Sequence, residues 1–598
     1  MSAQSTSFAG TEIIRTVQLT VQQCSLTYGS SPCTANLNNA QACFKTRNVL
    51  NDCQDIPNFD GGPVEYLFQD ASNTTIINNH RPLIKSISTA ASKIPPRGGL
   101  AAVAKVKITF IDEPDTDLDT DDNITDRSYI AREQGSFWGK FKARHSFIQG
   151  QQIEIRTAFQ QSSSESDDIE PTWSYSNEKY EIESISWPNK NGEVVVTAKD
   201  VINLTDALNA KCPPVSRVKL YSALAIGTNH LFLDSAVGIK SPDVITIFRI
   251  NDELCEVDGS TAVVQADGSI KVNFTASGRG ILGTTHAAHQ AGATVQEVAR
   301  FDNLSINDTI YKILNSYSEI GSTHFDTTNW AAAVAAWRSS SVLKNYISQP
   351  TDIKTLLSEI CDQNQMMIWY NAYSSRIQMK AVAPELGTLK RISDSEDIWD
   401  LQVSEDDTLR LNSVSMYHTP RSWISNSNKA ADFERLSVSI DNLYYDLYGS
   451  PRERNLYSRW ITSDAVALST TGVLINRFRA SPFRIKFKMV YSNSSVGRIN
   501  TGDNFRLESK QFQNATGAEY VPEFICISAK TDMKMDVQIE AVAYSYFGGN
   551  NGPIGATSFD GQNYSTYIAA NPDNGGILAW ISQADGTMIN GDESYYIT

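Results

Sequence analysis

The sequence lacks the features that mark a membrane-spanning or secreted protein. It contains no run of about 18 apolar residues, so we expect no transmembrane helix. The N-terminus, from Met1 to Ser5, has no basic region followed by an apolar core, so we expect no secretory signal. These absences predict a chain that is made and folded in a reducing cytoplasm, where disulfides are uncommon.

Charged side chains are sparse, and most of them are acidic. They make up 20% of the residues, and 67 acidic against 51 basic residues give a formal net charge of −16. A surface of this sign repels phosphate backbones and anionic lipid heads. We therefore expect no binding to nucleic acid.

The motifs of several large enzyme classes are missing or incomplete. The chain has no Gly-x-Ser-x-Gly elbow and no P-loop lysine, and its seven histidines are scattered. Gly278, Gly280 and Gly283 match the dinucleotide fingerprint, but their surroundings favour strands over the required helix. His286 and His289 lack the Glu of a zincin motif, and we interpret them as part of a turn. We predict a protein without enzymatic activity, with a Cys–His pair formed by folding as the alternative.

One densely acidic stretch has the partial pattern of a calcium loop. Asp117, Asp119 and Asp121 have the spacing of the first three EF-hand ligands. However, Asp122 stands where that loop needs Gly, and Ser128 stands where it needs a bidentate Glu. We therefore predict a solvated acidic loop in this region.

Hydrophobic periodicity predicts a mainly β (α+β) protein. A length of 598 residues suggests about three to five domains. Strict alternation of apolar and polar residues, typical of half-buried strands, recurs along the chain. The predicted strands include 17–21, 106–110, 153–155, 180–185, 194–196, 244–250, 295–298, 376–380 and 483–487. Apolar residues at helical spacing predict a small helical element made of 303–317, 330–337 and 352–363.

Four of the eight cysteines fall within thirty residues. Cys24, Cys33, Cys43 and Cys53 form the pattern C-x8-C-x9-C-x9-C in a loop-rich segment. Such a segment buries little surface, so a crosslink or a bound metal is physically reasonable. The alternatives are a [4Fe–4S] cluster, a four-cysteine zinc site, two disulfides, or four unconnected thiols. A reducing cytoplasm disfavours disulfides, and the wide, even spacing is unlike paired zinc knuckles.

The residues around these cysteines resemble a signature of one group of viral structural proteins. The shared positions are Tyr28-Gly29, Pro32-Cys33, Ala42-Cys43-Phe44, Cys53-Gln54-Asp55 and Asn58-Phe59. They are similar to tail-tip and baseplate hub proteins of long-tailed bacteriophages and gene transfer agents. Residues 121–157, 278–295 and 350–384 are similar to further segments of such proteins, so the resemblance extends to about residue 385.

The resemblance implies a cofactor and an assembly. It maps the ligands of an iron–sulfur cluster, [4Fe–4S], onto Cys24, Cys33, Cys43 and Cys53, with zinc as the alternative metal. It further implies a homotrimeric ring in which each subunit has two related β-barrel-like domains, so that three subunits imitate six-fold symmetry. Such a ring would bind the tail tube or distal-tail ring on one face and the central spike or fibre on the other.

The resemblance suggests a function, and composition and strand patterns together with it suggest an order of domains. We expect a structural virion protein of the tail tip or baseplate, made in the host cytoplasm. A tail-associated enzyme or redox metalloprotein and a receptor-binding fibre component are the alternatives. The predicted domains are a four-cysteine segment (1–95), a β-barrel-like hub domain (96–210), a small β domain (211–300), an α/β hub module (301–390), a second β-barrel-like domain (391–547) and a Gly/Asn/Ser-rich arm (548–598).

Overall fold

The structure is a computed structural model, and several predicted segments lie outside the part that it describes. They include the acidic stretch with Asp117, Asp119, Asp121, Asp122 and Ser128 and nearly all of the arm 548–598. The described residues are 13–35, 43–47, 53–72, 77, 79–115, 133–159, 176–206, 210–235, 245–383, 389–424, 429–490, 498–513, 517–531, 536–544, 558–559 and 562–563.

The prediction of a mainly β protein is confirmed, and seven of the first eight strands close into a barrel. Their order around the barrel is β1-β2-β3-β5-β8-β7-β6, and β6 pairs with β1. The barrel takes strands from both 1–95 and 96–210, so the predicted boundary at residue 95 lies inside it. The strands are β1 (Ile13–Gln23), β2 (Gly62–Asp70), β3 (His80–Ala90), β4 (Gly99–Leu100), β5 (Lys105–Ile111), β6 (Gln152–Phe159), β7 (Ser176–Ile185) and β8 (Glu193–Lys199).

A short helix, α1 (Phe137–Arg144), fills the interior of the barrel. Alternation along the strands points residues such as Val17 and Leu19 inward. Trp138 of α1 is fully buried among them, with its ring centroid 4.6 Å from that of Phe110 and 5.3 Å from that of Phe68. The barrel is therefore a packed core and leaves no pore along its axis.

The next region is a five-stranded antiparallel sheet in the order β10-β13-β12-β11-β14. The fingerprint glycines 278–283 lie in turns after β13, and no helix follows them, so their rejection as a Rossmann site is confirmed. The strands are β9 (Lys211–Cys212), which pairs elsewhere, β10 (His230–Leu233), β11 (Ile245–Ile250), β12 (Glu253–Val264), β13 (Ile270–Phe274) and β14 (Val295–Glu297).

The three predicted helices are confirmed, and they pack in a central α/β module. The first begins at Ile306, three residues later than predicted, because Ser305 ends a strand and caps the helix by accepting a hydrogen bond from Asp308 N. The elements are β15 (Ala299–Ser305), α2 (Ile306–Tyr317), α3 (Thr327–Trp337), β16 (Val342–Ile347), β17 (Thr351–Asp352), α4 (Ile353–Asn364), β18 (Met366–Asn371) and β19 (Arg376–Ala381).

The C-terminal region contains a six-stranded sheet, β20-β26-β27-β28-β25-β21, and a three-stranded sheet, β23-β22-β24. Helix α6 packs against β22 and β23. The elements are β20 (Lys390–Ser393), β21 (Ile398–Glu405), β22 (Ser413–Pro420), β23 (Phe433–Ile440), α5 (Asn442–Tyr448), β24 (Glu453–Ser458), α6 (Asp464–Phe478), β25 (Phe483–Val490), β26 (Asn504–Glu508), β27 (Glu523–Thr531), β28 (Asp536–Ala543), β29 (Ser558–Phe559) and β30 (Gln562–Asn563).

None of the helices in the described chain is both long enough and apolar enough to cross a bilayer. Cys212, Cys255, Cys361 and Cys526 are fully buried and act as small core residues. Single turns of 3-10 helix cover Ile56–Asn58, Val201–Asp206, Ser322–His324, Asp407–Leu409 and Ala430–Asp432.

Replacing Trp138 with Ala should loosen the barrel selectively. The change leaves a cavity at the centre of the aromatic cluster, so we expect the local unfolding free energy of the barrel strands to fall by roughly 3–5 kcal/mol. Amide hydrogen exchange of β1, β5 and β8 measures this loss in a multidomain chain. Trp187→Ala is the matched control, because that side chain is 58% exposed and its loss should cost less than about 1 kcal/mol. Equal effects of the two variants would contradict the packing role of α1.

Candidate metal centre

The four clustered cysteines lie in the connection between the first two barrel strands. Cys24 directly follows β1, and β2 begins at Gly62. Because β1 and β2 are antiparallel neighbours with Gln23 opposite Gly62, the connection starts and ends at the same rim of the barrel. The fold therefore holds all four thiols at one end of the barrel.

Hydrogen bonds within this connection bring distant cysteines together in pairs. The backbone N–H of Cys24 donates to the carbonyl of Lys45 at 2.7 Å, which places Cys24 beside the segment of Cys43. The backbone N–H of Thr34 donates to Asp55 Oδ2 at 2.7 Å, which places Cys33 beside the segment of Cys53. The connection is thus folded back on itself around buried Asp55.

Two further carboxylate contacts tie the connection to itself. Asn58 Nδ2 donates to both oxygens of Asp55, and the Thr34 backbone N–H and the Asn58 side chain hold the pKa of Asp55 below its ordinary value. Ser25 donates to Asp60 through its backbone N–H and its hydroxyl, and the Cys24 thiol also hydrogen-bonds Asp60. These contacts replace the hydrophobic core that so polar a segment lacks.

Backbone N–H groups are directed at two of the sulfur atoms. Lys45 N lies 3.3 Å from Cys43 Sγ, and the backbone N–H of Asp55 hydrogen-bonds the sulfur of Cys53. A hydrogen bond to sulfur favours the thiolate, which is the form that ligates metals. These two cysteines consequently have the donor environment of metal-binding thiolates.

The thiols are close enough to influence one another electrostatically. Burial raises the pKa of the Cys53 thiol, and the neighbouring thiols of Cys24 and Cys33 raise it further. Burial likewise raises the pKa of Tyr28, and Cys43 and Cys33 add to the rise. Each of the four sulfur atoms is therefore part of one group of mutually interacting side chains that includes Tyr28.

The geometry only partly fits a cluster site. All four thiols are half-buried, and no disulfide joins any of the eight cysteines, each of which is described. Within the described ranges, however, no three or more Cys, His, Asp or Glu side chains are arranged as ligands of one metal ion. The thiols thus share a neighbourhood and a suitable chemistry without forming a common ligand sphere.

The barrel core supports this loop directly. The guanidinium of Arg144, at the end of α1, lies 4.3 Å from the ring centroid of Phe44, next to Cys43. Gln23 Nε2 donates to the carbonyl of Phe44 at 3.4 Å. Helix α1 therefore links the packing of the barrel interior to the position of the cysteine loop.

A second cluster of polar side chains, in the small β domain, has a structural role. Glu253 is fully buried and accepts from Arg279 Nε at 2.7 Å, from Arg279 Nη2 at 2.9 Å and from His289 Nε2 at 2.7 Å. The backbone N–H groups of Gly280 and Ala287 donate to the same carboxylate. His289 thus helps to hold a turn, as its sequence context predicted, and it has no second histidine as a metal-binding partner among these contacts.

The charge of Glu253 is stabilised by these donors. Burial alone would raise the pKa of Glu253, but Arg279, His289 and the Ala287 N–H lower it to about 2. A lowered pKa means that this contribution to stability is present above the unfolded-state value of about 4.3 and is lost as the pH falls towards 2. The network therefore fixes the loops of this domain at neutral pH.

Sequence patterns did not reveal every residue of these sites. The sequence did not indicate that Asp55, Asp60 and Arg144 hold the cysteine loop, because their contacts form only in the folded chain. Glu253 was also not predicted as a site residue. The signal that could have indicated it is an acidic residue at the start of the alternating strand β12. Tyr28, Phe44 and Asp55 were identified only through the family resemblance.

Comparisons with solved structures give only remote similarities. No protein-family model and no curated protein matches the sequence. The chain is similar to a tail protein from Neisseria meningitidis MC58 (8% identity, TM-score 0.36), over 77% of this chain and 92% of that chain. It is also similar to the 43 kDa tail protein of prophage MuSo2 from Shewanella oneidensis (7% identity, TM-score 0.35), over 77% and 97%. A chain of a native gene transfer agent virion is 11% identical (TM-score 0.29), over 55% and 84%.

Arg279→Met should destabilise the small β domain at neutral pH. The variant leaves the buried carboxylate of Glu253 without its cation, which costs roughly 3–5 kcal/mol. Hydrogen exchange of the β11, β12 and β13 amides measures the loss locally. Lys271→Met on β13 is the control and should change exchange by less than about 1 kcal/mol. If Arg279→Met leaves exchange unchanged, the ion pair does not stabilise this domain.

Proposed function

We propose that this chain is a structural subunit of a bacteriophage tail tip or baseplate, located in the virion. The observation that carries the proposal is the four-cysteine connection at the rim of a closed β-barrel. This segment contains the residues that resemble the hub signature, and the barrel gives it a fixed position. The remote structural similarities, with TM-scores below 0.5, carry no part of this proposal.

Within that assembly, the chain would act as a hub. Its role would be to join the tail tube or distal-tail ring on one face to the central spike or fibre on the other. A closed barrel near the N-terminus and an open six-stranded sheet near the C-terminus supply two large β units per chain. A homotrimer of such chains presents six β units in a ring, which suits a six-fold symmetric partner.

We further propose that Cys24, Cys33, Cys43 and Cys53 hold a [4Fe–4S] cluster, with zinc as the alternative metal. When bound, the cluster would bond one thiolate per iron and crosslink the two cysteine pairs that hydrogen bonds already bring together. Its contribution would be structural, since a polar loop gains order from a metal that it cannot gain from a core. The N–H donors to Cys43 and Cys53 support this assignment.

The proposed role is architectural and not catalytic. The described cluster of Glu253, Arg279 and His289 is occupied by its own internal hydrogen bonds, so it offers no free acid or base to a substrate. The thiols of Cys212, Cys255, Cys361 and Cys526 are fully buried. Neither the Glu253 cluster nor these four thiols therefore supports a tail hydrolase or a redox enzyme.

Metal analysis of the chain purified without oxygen tests the cofactor. We expect roughly four iron and four acid-labile sulfide per chain, with broad visible absorption from thiolate-to-iron charge transfer. Cys53→Ser should abolish most of this absorption, because it removes one of the four ligands. Cys526→Ala, which removes a core thiol outside the loop, should keep it. Stoichiometric zinc would identify the alternative metal, and a metal-free protein with all four thiols reactive would refute the proposed site.

The mass of the assembled protein tests the hub independently of the metal. Native mass spectrometry at micromolar concentration should give three times the chain mass of 66.0 kDa. A trimer is expected because a ring that matches a six-fold partner with two β units per chain needs three copies. A stable monomer across the concentration range would contradict the hub, whether or not the chain carries a cluster.

A further inference from the structure

In its C-terminal half, strand β23 has polar residues facing the core and apolar residues facing solvent. Ser437 and Ser439 are buried against the interior. Leu436, Val438 and Ile440, on the opposite face, are 51%, 37% and 56% exposed. A half-buried strand normally points its apolar residues to the core, so this orientation is the reverse of the expected one.

Hydrogen bonds of the two serines fix this register. The hydroxyl of Ser437 lies 3.0 Å from Nε2 of buried His418 on β22. The hydroxyl of Ser439 lies 2.7 Å from Oγ1 of buried Thr471 on α6. A shift by one residue would bury the apolar row but would break both of these interior hydrogen bonds. The outward apolar row is therefore a stable property of the fold.

The exposed row lies on an edge of its sheet. The strand order is β23-β22-β24, so among the described strands β23 has no neighbour on its outer side. An edge strand presents backbone N–H and C=O groups to any chain that can pair with it, and an apolar one favours such pairing. The apolar surface continues into α5, which follows β23 directly. We call the exposed residues Leu436, Val438, Ile440, Tyr445, Leu447 and Tyr448 the β23 patch.

The last long described segment, 536–544, ends at Tyr544 close to this patch. The ring of Tyr544 lies 5.1 Å from the guanidinium of Arg477 on α6. The same helix contacts the inner face of β23 through Thr471 and Ser439. Since a helix is about 10 Å across, Tyr544 is separated from the edge strand by roughly one element.

The sequence beyond Tyr544 contains a segment that suits this edge. Residues 577–581, Ile-Leu-Ala-Trp-Ile, form the longest uninterrupted apolar run between residues 545 and 598. Gly575 and Gly576 precede the run, and Ser582 follows it, which is the sequence context of a short strand. The chain from 545 to 576 can extend on the order of 100 Å, far more than the path from Tyr544 to β23 requires.

We propose that residues 577–581 pair with the free edge of β23 in the same chain and cover the β23 patch. Pairing would satisfy the outer backbone groups of β23, and the apolar side chains of both strands would lose contact with water together. The C-terminal arm would then be held on the three-stranded sheet, and the apolar edge would be closed to other chains. The inference is independent of the metal and of the hub assembly.

Hydrogen exchange of the full-length chain tests this pairing. Residues 577–581 and the outward amides of β23 should both be protected. Ile577→Ser combined with Ile581→Ser should raise exchange in 433–441 at least about ten-fold, because the covering strand is lost. The matched control, Tyr567→Ser combined with Ile568→Ser, changes the other apolar stretch of the arm and should leave β23 unchanged.

A change on the β23 side must give the reciprocal result. Val438→Lys puts a charge on the exposed face without touching the core, so it should release 577–581 to rapid exchange while α6 stays protected. The control Val490→Lys, which changes another exposed valine, should leave 577–581 protected. The proposal is overturned if 577–581 exchanges as an unfolded chain in the wild type, or if Val438→Lys leaves its protection intact. Protection that falls on dilution would assign the patch to a second copy and would also overturn it.

Discussion

Closure of the barrel is the constraint on which the candidate metal centre depends. Pairing of β1 with β6 completes the ring of seven strands, and pairing of β1 with β2 then fixes both ends of the cysteine connection at one rim. A connection whose ends are fixed side by side has already lost much of its conformational freedom. The short hydrogen bonds from Cys24 to Lys45 and from Thr34 to Asp55 act on this restricted loop. The thiols are thus close together because the pairing of the strands fixes both ends of their connection.

Helix α1 makes the interior and the rim of the barrel interdependent. Phe137, Trp138 and Phe141 fill the space between the strands, whereas Arg144 at the other end of the helix contacts Phe44 in the loop. The three large aromatic groups on this helix of eight residues pack among the inward side chains of the seven strands and complete the core. Displacing the helix would open the core and remove a support of the cysteine loop in the same step.

Local sequence patterns predicted the strands and helices well, but they did not predict which distant strands pair. Alternation located strands such as β1 and β5, and apolar spacing located α2 and α4, because both signals depend on near neighbours in the chain. The pattern did not show that β1 joins β6, or that β4 pairs with β18, where Gly99 and Met367 are 268 residues apart in sequence. For the same reason Cys24, Cys33, Cys43 and Cys53 were identified from spacing and resemblance, while the Asp55 and Asp60 contacts that position them were not. Alternation also could not indicate that β23 turns its apolar face outward, since that choice is made by His418 and Thr471.

The electrostatics of the cysteine loop explain why a cation would order it. Burial and the neighbouring thiols raise the pKa of Cys53 and so oppose its ionisation. The N–H groups directed at Cys43 and Cys53 favour the opposite, because they stabilise sulfur that carries negative charge. A metal bound as proposed would compensate the thiolates that burial penalises and would leave the N–H donors in place. At Cys53, burial and hydrogen bonding act in opposite directions on the same thiol, which is the electrostatic basis of the proposed metal site.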